Sequence, residues 1–183
     1  MKRNTDHSIR AFILTTKSSV VLLVFALFFS SCTKDGNTEP LEPGSDAPGF
    51  TLKSLDGSDV SLSGFSNKVV VLFFFGNNCP SCKAAAPNVE SMLVTPFAAS
   101  TDYMVVGLDQ WNGNSASVQA FKTVTNVTFP LLLNASGVAS DYKTTYDRIV
   151  VIDKAGKIAF TGKQSASSDM DAAKAKVTEL LSK

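Results

Sequence analysis

The fold of this chain is decided by the stretch Val69-Val-Val-Leu-Phe-Phe-Phe75, Gly76-Asn-Asn-Cys79-Pro-Ser-Cys82, Lys83-Ala-Ala-Ala-Pro87. Seven successive apolar residues predict a strand that is covered on both faces. A polar turn with two cysteines three positions apart follows, and Pro80 suits the first turn of a helix, where its missing N–H costs nothing. Cys79 is then the N-cap of this helix, whose free N–H groups and positive dipole end favour the thiolate that attacks a disulfide. The sequence therefore predicts a redox-active dithiol.

Two other interpretations of the cysteine pair stay open. An exported domain can carry an inert structural disulfide, although so short a spacing gains little loop entropy. A zinc or copper site needs further ligands, usually histidine or more cysteine, and the chain has one histidine, His7, close to its start. A copper(I) site with two thiolates remains a minor alternative. We expect no metal and no cofactor.

The first residues predict a targeting segment. Residues 1–31 combine four basic side chains with a ten-residue apolar core at 20–29, which is too short to span a bilayer. An uncleaved signal anchor is the alternative. The stretch Phe29-Ser30-Ser31-Cys32 resembles a bacterial lipobox, with Phe29 where leucine is usual, which implies that Cys32 is lipidated and becomes the mature N-terminus. Residues 32–44 are polar, with proline and glycine, and predict a flexible tether ahead of a domain at 45–183.

Composition limits the possible classes of protein. Hydrophobic residues make up 44% of the chain and charged residues 18%, as in a globular protein. Four of the 17 basic residues and one of the 16 acidic residues precede Cys32, so the remainder carries a net charge of −2 and no basic stripe. We therefore expect no nucleic acid as a partner.

Strands and helices alternate along the domain. This order predicts an α/β fold with a mixed sheet, and the dithiol then lies beyond the carboxyl end of a central strand. The predicted strands are 50–53, 60–62, 69–75, 103–108, 129–133, 148–153 and 157–161. The predicted helices follow the cysteines (ending by Pro96) and cover 115–121 and 169–182.

These residues together resemble the thioredoxin-like superfamily, in particular its membrane-tethered thiol–disulfide oxidoreductases and the redoxin/peroxiredoxin group. The resemblance covers most of residues 45–183 and implies a central mixed sheet flanked by helices on both faces. It also implies that Cys79 is the nucleophile and Cys82 the resolving thiol. The motifs that carry the resemblance are 47–52, Asp56-Gly57, 69–75, Cys79-Pro80-Ser81-Cys82, Pro87, Phe129-Pro130 and 151–158.

The sequence departs from the family pattern at several positions. Asn78 stands where an aromatic residue usually precedes the first cysteine, and Ala85 stands where many tethered members have glutamate. Asp147 falls at about the place of the usual cis-proline. Arg148, its neighbour, could instead stabilise a thiolate, as an arginine does in peroxiredoxins.

Three residues near the predicted site have two interpretations each. Lys83 could stabilise a thiolate or be an ordinary surface lysine. Trp111, in the loop after a strand, could form a hydrophobic rim for a partner or be half-buried in the core. Asp109 is interpreted as a cap or turn residue rather than a buried proton acceptor.

The sequence thus predicts an exported, lipid-anchored thiol–disulfide oxidoreductase of the bacterial cell envelope. It would face the periplasm, on the inner or the outer membrane. Its partners would be protein or small-molecule disulfides and a membrane electron donor. The alternatives are a thiol-dependent peroxidase and a catalytically weakened, partner-binding lipoprotein.

Overall fold

The structure, a computed structural model, describes residues 39–183. The predicted signal peptide, His7, Cys32 and the first part of the predicted tether lie outside the described residues. The strands are β1 (Thr51–Lys53), β2 (Asp59–Ser61), β3 (Val69–Phe75), β4 (Tyr103–Asp109), β5 (Leu131–Leu132), β6 (Arg148–Ile152) and β7 (Ile158–Thr161). The α-helices are α1 (Pro80–Val89), α2 (Ser115–Thr125), α3 (Ser136–Asp141) and α4 (Ala166–Leu181).

The central sheet has five strands in the order β5-β4-β3-β6-β7. Strands β3, β4 and β5 run parallel, whereas β6 is antiparallel to β3 and β7 is antiparallel to β6. Strands β1 and β2 form a separate hairpin. The predicted α/β fold with a mixed sheet is confirmed.

Strand β3 lies in the middle of the sheet, and all seven of its residues are buried. Successive side chains of a strand point to opposite faces, so β3 contributes to two core clusters. On one face, Val69, Val71, Phe73 and Phe75 share a cluster with α1, α2 and α4. On the other face, Val70, Leu72 and Phe74 share a cluster with α3, and the β1–β2 hairpin packs against it. Helices therefore cover both faces, and the continuous apolar run of β3 follows from this double burial.

The helix after the cysteines changes its hydrogen-bond pattern before it ends. Helix α1 contains Pro87, which has no N–H to donate, and gives way to a π-helical segment at Glu90–Val94 and a 3₁₀ turn at Thr95–Phe97. The helical run therefore extends one residue past Pro96, the predicted end.

Helix α4 begins three residues earlier than the predicted start at Asp169. Ser165 is its N-cap, and the Ser165 hydroxyl accepts a hydrogen bond from the Ser168 N–H at 3.3 Å. The prediction was wrong there because it took Asp169 for the start, whereas Asp169 lies in the first turn.

The chain just before the first strand lies against the edge strand β7. The Gly44 N–H donates to the Ile158 carbonyl at 2.8 Å, and the Ala47 N–H donates to the Gly156 carbonyl at 3.0 Å. The Thr161 hydroxyl donates to the Leu41 carbonyl at 2.8 Å. Hydrogen bonding to the sheet thus begins before residue 45, where the sequence predicts the domain boundary. Among the helices of residues 39–183, none is long and apolar enough to cross a membrane.

Candidate redox site

Cys79 and Cys82 are joined by a disulfide at the start of α1, with their Cα atoms 5.2 Å apart. Cys79 is the N-cap residue and Pro80 is the first helical residue, as the sequence predicts. The Cys79 sulfur accepts a hydrogen bond from the Cys82 N–H at 3.1 Å and lies 3.2 Å from the Ser81 hydroxyl oxygen. An N–H group at a helix start stabilises negative charge, so this position suits a thiolate once the disulfide is reduced.

The disulfide lies at the carboxyl end of β3, where open α/β sheets place their sites. Cys79 is 2% exposed and Cys82 is fully buried. A partner can therefore reach this pair only from the side of Cys79.

A buried carboxylate at the end of β4 holds the turn before the cysteines. Asp109 is fully buried. Its Oδ1 accepts from the Asn77 backbone N–H at 3.1 Å and from the Trp111 N–H at 3.3 Å, and its Oδ2 accepts from the Gly113 N–H at 2.6 Å. The Asn77 side-chain amide donates to both oxygens, at 3.2 and 3.1 Å. Asp109 thus ties the Asn77 turn to the loop after β4.

Sequence reasoning missed the contact between Asn77 and Asp109. It placed Asp109 in a turn, where its carboxylate does bind backbone N–H groups, but it did not foresee complete burial or the contact with Asn77. The available signal was the register of two neighbouring parallel strands, in which Phe75 pairs with Asp109. An acidic residue at that position points to the turn that follows β3.

Trp111 lies over the same turn and remains exposed. A Cβ atom added at Gly76 would overlap the Trp111 indole ring, so the close approach of the ring requires glycine at this position. Trp111 is 43% exposed, and Tyr146 is 40% exposed. Their ring centroids are 5.1 Å apart in an edge-to-face arrangement. The structure therefore places both rings at the surface beside the dithiol turn.

Asp147 and Arg148 lie where the chain enters β6, and Arg148 pairs with Phe74 near the carboxyl end of β3. Asp147 has φ +57°, a backbone conformation that proline cannot adopt. The Ala166 N–H donates to the Asp147 carbonyl at 3.0 Å and to its Oδ1 at 3.2 Å, and Arg148 Nη1 donates to the same carbonyl at 2.9 Å. Asp147 thus holds the start of α4. Within the part of the chain that the structure describes, no hydrogen bond joins Asp147 or Arg148 to either cysteine.

Asn78 and Lys83 form a surface contact beside the dithiol. The Lys83 ammonium donates to the Asn78 side-chain oxygen at 3.3 Å. Asn78 is exposed and Lys83 is partly exposed. In this arrangement the lysine is held by an amide rather than by a sulfur. Over residues 39–183, no group of three or more His, Cys, Asp or Glu side chains could hold a metal ion.

The comparisons with known proteins agree with this geometry. Residues 43–161 match the AhpC/TSA family. The thiol-disulfide oxidoreductase ResA of Oceanobacillus iheyensis is 31% identical over 157 residues, which cover 79% of this chain and 80% of the relative. The thioredoxin-like protein YneN of Bacillus subtilis is 29% identical over 119 residues, which cover 64% of this chain and 69% of the relative.

A solved structure also resembles this chain in fold. The solution structure of a candidate protein disulfide isomerase from Bacteroides thetaiotaomicron matches with a TM-score of 0.71 and 28% identity, covering 78% of this chain and 92% of that one. The predicted thioredoxin-like fold and the predicted oxidoreductase class are confirmed. The chain belongs to the AhpC/TSA family of the thioredoxin-like superfamily, and its Cys79–Cys82 pair is a redox dithiol.

Proposed function

We propose that the protein is a thiol–disulfide oxidoreductase of the bacterial cell envelope, anchored by a lipid on Cys32 and acting through Cys79 and Cys82. The observation that carries the proposal is the disulfide between these two cysteines at the start of α1, with the Cys79 sulfur as the helix cap. The similarity to a relative named as a thiol-disulfide oxidoreductase supports the same activity.

The reaction needs only the two cysteines and a partner disulfide. In the reduced enzyme, the Cys79 thiolate attacks one sulfur of the partner, and a mixed disulfide forms while the other partner sulfur leaves as a thiolate and takes up a proton. The Cys82 thiolate then attacks the Cys79 sulfur. This step restores the Cys79–Cys82 disulfide and releases the second partner thiol. Two electrons pass from the dithiol to the partner, and a dithiol electron donor at the membrane returns them by the reverse exchange.

The surroundings of the two sulfurs support different roles for them. Of the two cysteines, Cys79 is the one with some exposed surface. Its sulfur accepts a hydrogen bond from the Cys82 N–H at the positive end of α1. Both features suit the thiol that attacks first. Cys82 is fully buried and three residues further along the helix, so it can reach Cys79 but not an outside partner. This arrangement suits the resolving thiol.

The anchor rests on the sequence around Cys32. A positive n-region, a short apolar core and Ser30-Ser31 precede this cysteine, and a polar, proline-containing segment follows it. Acylation at several positions of one cysteine would hold the domain stably at a membrane. Mass spectrometry of the native protein should find Cys32 acylated at a new N-terminus. An intact N-terminus, or an unmodified Cys32, would exclude the anchor.

Turnover assays test the activity. The full chain in detergent should reduce insulin and glutathione disulfide when a dithiol reductant is supplied. Cys79→Ser should abolish both reactions, whereas Ser91→Ala, an exposed change further along the same helical run, should leave both rates unchanged. Activity that survives in Cys79→Ser would refute an enzymatic role for this cysteine. Peroxide turnover well above disulfide reduction would favour the thiol peroxidase, and no turnover of any substrate would favour the partner-binding lipoprotein.

A further inference from the structure

We propose that Trp111 and Tyr146 form a binding platform for protein substrates, which accepts an apolar or aromatic side chain next to the substrate cysteine. We call these two side chains the aromatic platform. The proposal rests on the proposed function and names its substrate class, a protein disulfide with apolar flanks rather than a small charged disulfide.

The exposure of the two rings is the first observation. Among the described residues, the large hydrophobic side chains that are exposed are Trp111, Val124 and Tyr146. Val124 lies on α2. Trp111 and Tyr146 come from different loops and contact each other, with ring centroids 5.1 Å apart. Exposed tryptophan and tyrosine are the side chains that most often supply binding energy at protein interfaces.

The second observation is that the aromatic platform is fixed to the dithiol. The Trp111 ring lies over Gly76, and the Gly76 carbonyl accepts the Cys79 N–H at 3.0 Å. The Trp111 N–H donates to Asp109, the carboxylate that also holds Asn77. The platform and Cys79 are therefore connected through one short network. A substrate side chain bound on the platform would therefore hold the neighbouring substrate disulfide close to the Cys79 sulfur.

The chemistry of the surrounding surface favours an apolar segment. Neutral amides flank the site, at Asn78 before Cys79 and at Asn112 after Trp111, and both residues are exposed. Aromatic faces bordered by neutral amides fit an uncharged, apolar side chain.

Three substrates test whether the aromatic platform selects disulfides with an apolar neighbouring side chain. Two are disulfide-bonded peptides that differ only at the residue beside the cysteine, which is phenylalanine in one and serine in the other, and the third is glutathione disulfide. The wild-type protein should prefer the phenylalanine peptide. Trp111→Ala should lower kcat/KM for this peptide about tenfold, the loss typical of one buried aromatic contact. It should change the rates for the other two substrates less than about twofold and leave the dithiol reduction potential unchanged.

Gly76→Ala gives a second route to the same contact. The added methyl group would occupy the position of the indole ring, so Trp111 must move away. This variant should reproduce the selective loss of Trp111→Ala and should add nothing in the Trp111→Ala background. An unchanged reduction potential shows that the dithiol turn itself is intact. Tyr146→Phe keeps the ring and should keep the preference, whereas Tyr146→Ala should weaken it.

A binding measurement makes the test independent of turnover. Trp111 is the single tryptophan of the chain, so its fluorescence reports directly on the platform. A phenylalanine peptide with serine in place of cysteine should change this fluorescence and bind more weakly to Tyr146→Ala. Equal loss of all three reactions in Trp111→Ala, or no binding of this peptide, would overturn the platform. A wild type that reduces none of the substrates would instead refute the proposed function, and the fluorescence titration would still decide the platform.

Discussion

Replacing Asp109 by asparagine removes one of the two oxygen atoms that hold the dithiol turn to the loop after β4. The carboxylate is fully buried and accepts hydrogen bonds from Asn77, Trp111 and Gly113. An asparagine has a single acceptor oxygen, and its NH₂ group faces donors wherever it points. With the NH₂ group at the Oδ2 position, the Gly113 N–H loses its partner. With the NH₂ group at the Oδ1 position, the backbone N–H groups of Asn77 and Trp111 lose theirs.

The cost follows from these contacts. An N–H group left without a partner away from water costs about 1–3 kcal/mol, and the remaining bonds lose the assistance of the negative charge, about 1 kcal/mol in total. We therefore expect Asp109→Asn to lower the free energy of unfolding by about 3 kcal/mol. For a domain of this size the melting temperature should fall by roughly 10 °C.

Differential scanning calorimetry of the oxidised protein measures this change. The matched control is Asp102→Asn, since Asp102 is exposed and its oxygen lies 3.6 Å from the Lys154 ammonium. Such a surface pair contributes less than about 1 kcal/mol, so the melting temperature of the control should fall by at most about 3 °C. Hydrogen exchange should also become faster at the backbone N–H groups of Asn77, Trp111 and Gly113. If the two variants melt together and exchange is unchanged, Asp109 does not hold the site.

Three further predictions concern the core and two groups of titrating side chains. The Phe121 ring stacks on Phe75 with centroids 4.4 Å apart, so Phe121→Ala should lower the free energy of unfolding by about 3–5 kcal/mol in denaturant titrations. The exposed Val124→Ala, on the same helix, should change it by less than about 0.5 kcal/mol. Burial raises the pKa of Tyr103 and of Tyr142, so the folded protein holds both protons more tightly than the unfolded chain. This contribution to stability is complete below the ordinary tyrosine pKa of about 10 and is lost as the pH rises toward the raised values. Melting temperatures should therefore fall above about pH 10, and replacing both tyrosines by phenylalanine should reduce that fall; an equal fall would contradict the prediction. Hydrogen bonds from serine hydroxyl groups lower the pKa of Asp56 to about 2, and the bond from Ser54 has the largest effect. An NMR titration that finds the ordinary value of about 4 would contradict those bonds.

Local sequence patterns predict most of the strands and helices of the fold. The unbroken apolar run at 69–75 predicts a strand with both faces covered, and β3 has these bounds and this burial. Pro80 and Cys79 predict the start of α1 because a proline suits the first turn of a helix, where its missing N–H costs nothing. Lys154-Ala155-Gly156 predicts the β6–β7 turn, and Gly156 has φ +77° there.

The surroundings of the dithiol depend on contacts between distant parts of the chain. Asn77 and Asp109 are 32 positions apart and meet because β3 and β4 are neighbours in the sheet. Trp111 and Tyr146 meet from two separate loops. No periodicity reports such contacts, so the sequence left two interpretations of Trp111 and did not predict the burial of Asp109. The left-handed conformation of Asp147 is equally hidden, since a single residue of this kind has no repeating pattern.

In the proposed mechanism, Cys79 attacks the partner and Cys82 resolves the mixed disulfide. The most direct measurement is trapping with the reduced Cys82→Ser variant, which lacks the resolving thiol. Incubated with a disulfide-bonded peptide, this variant should accumulate a stable mixed disulfide, and peptide mapping by mass spectrometry should locate it at Cys79. The matched Cys79→Ser variant should form little or none, because Cys82 is fully buried. A mixed disulfide that maps to Cys82, or that forms equally in both variants, would contradict these roles of the two cysteines.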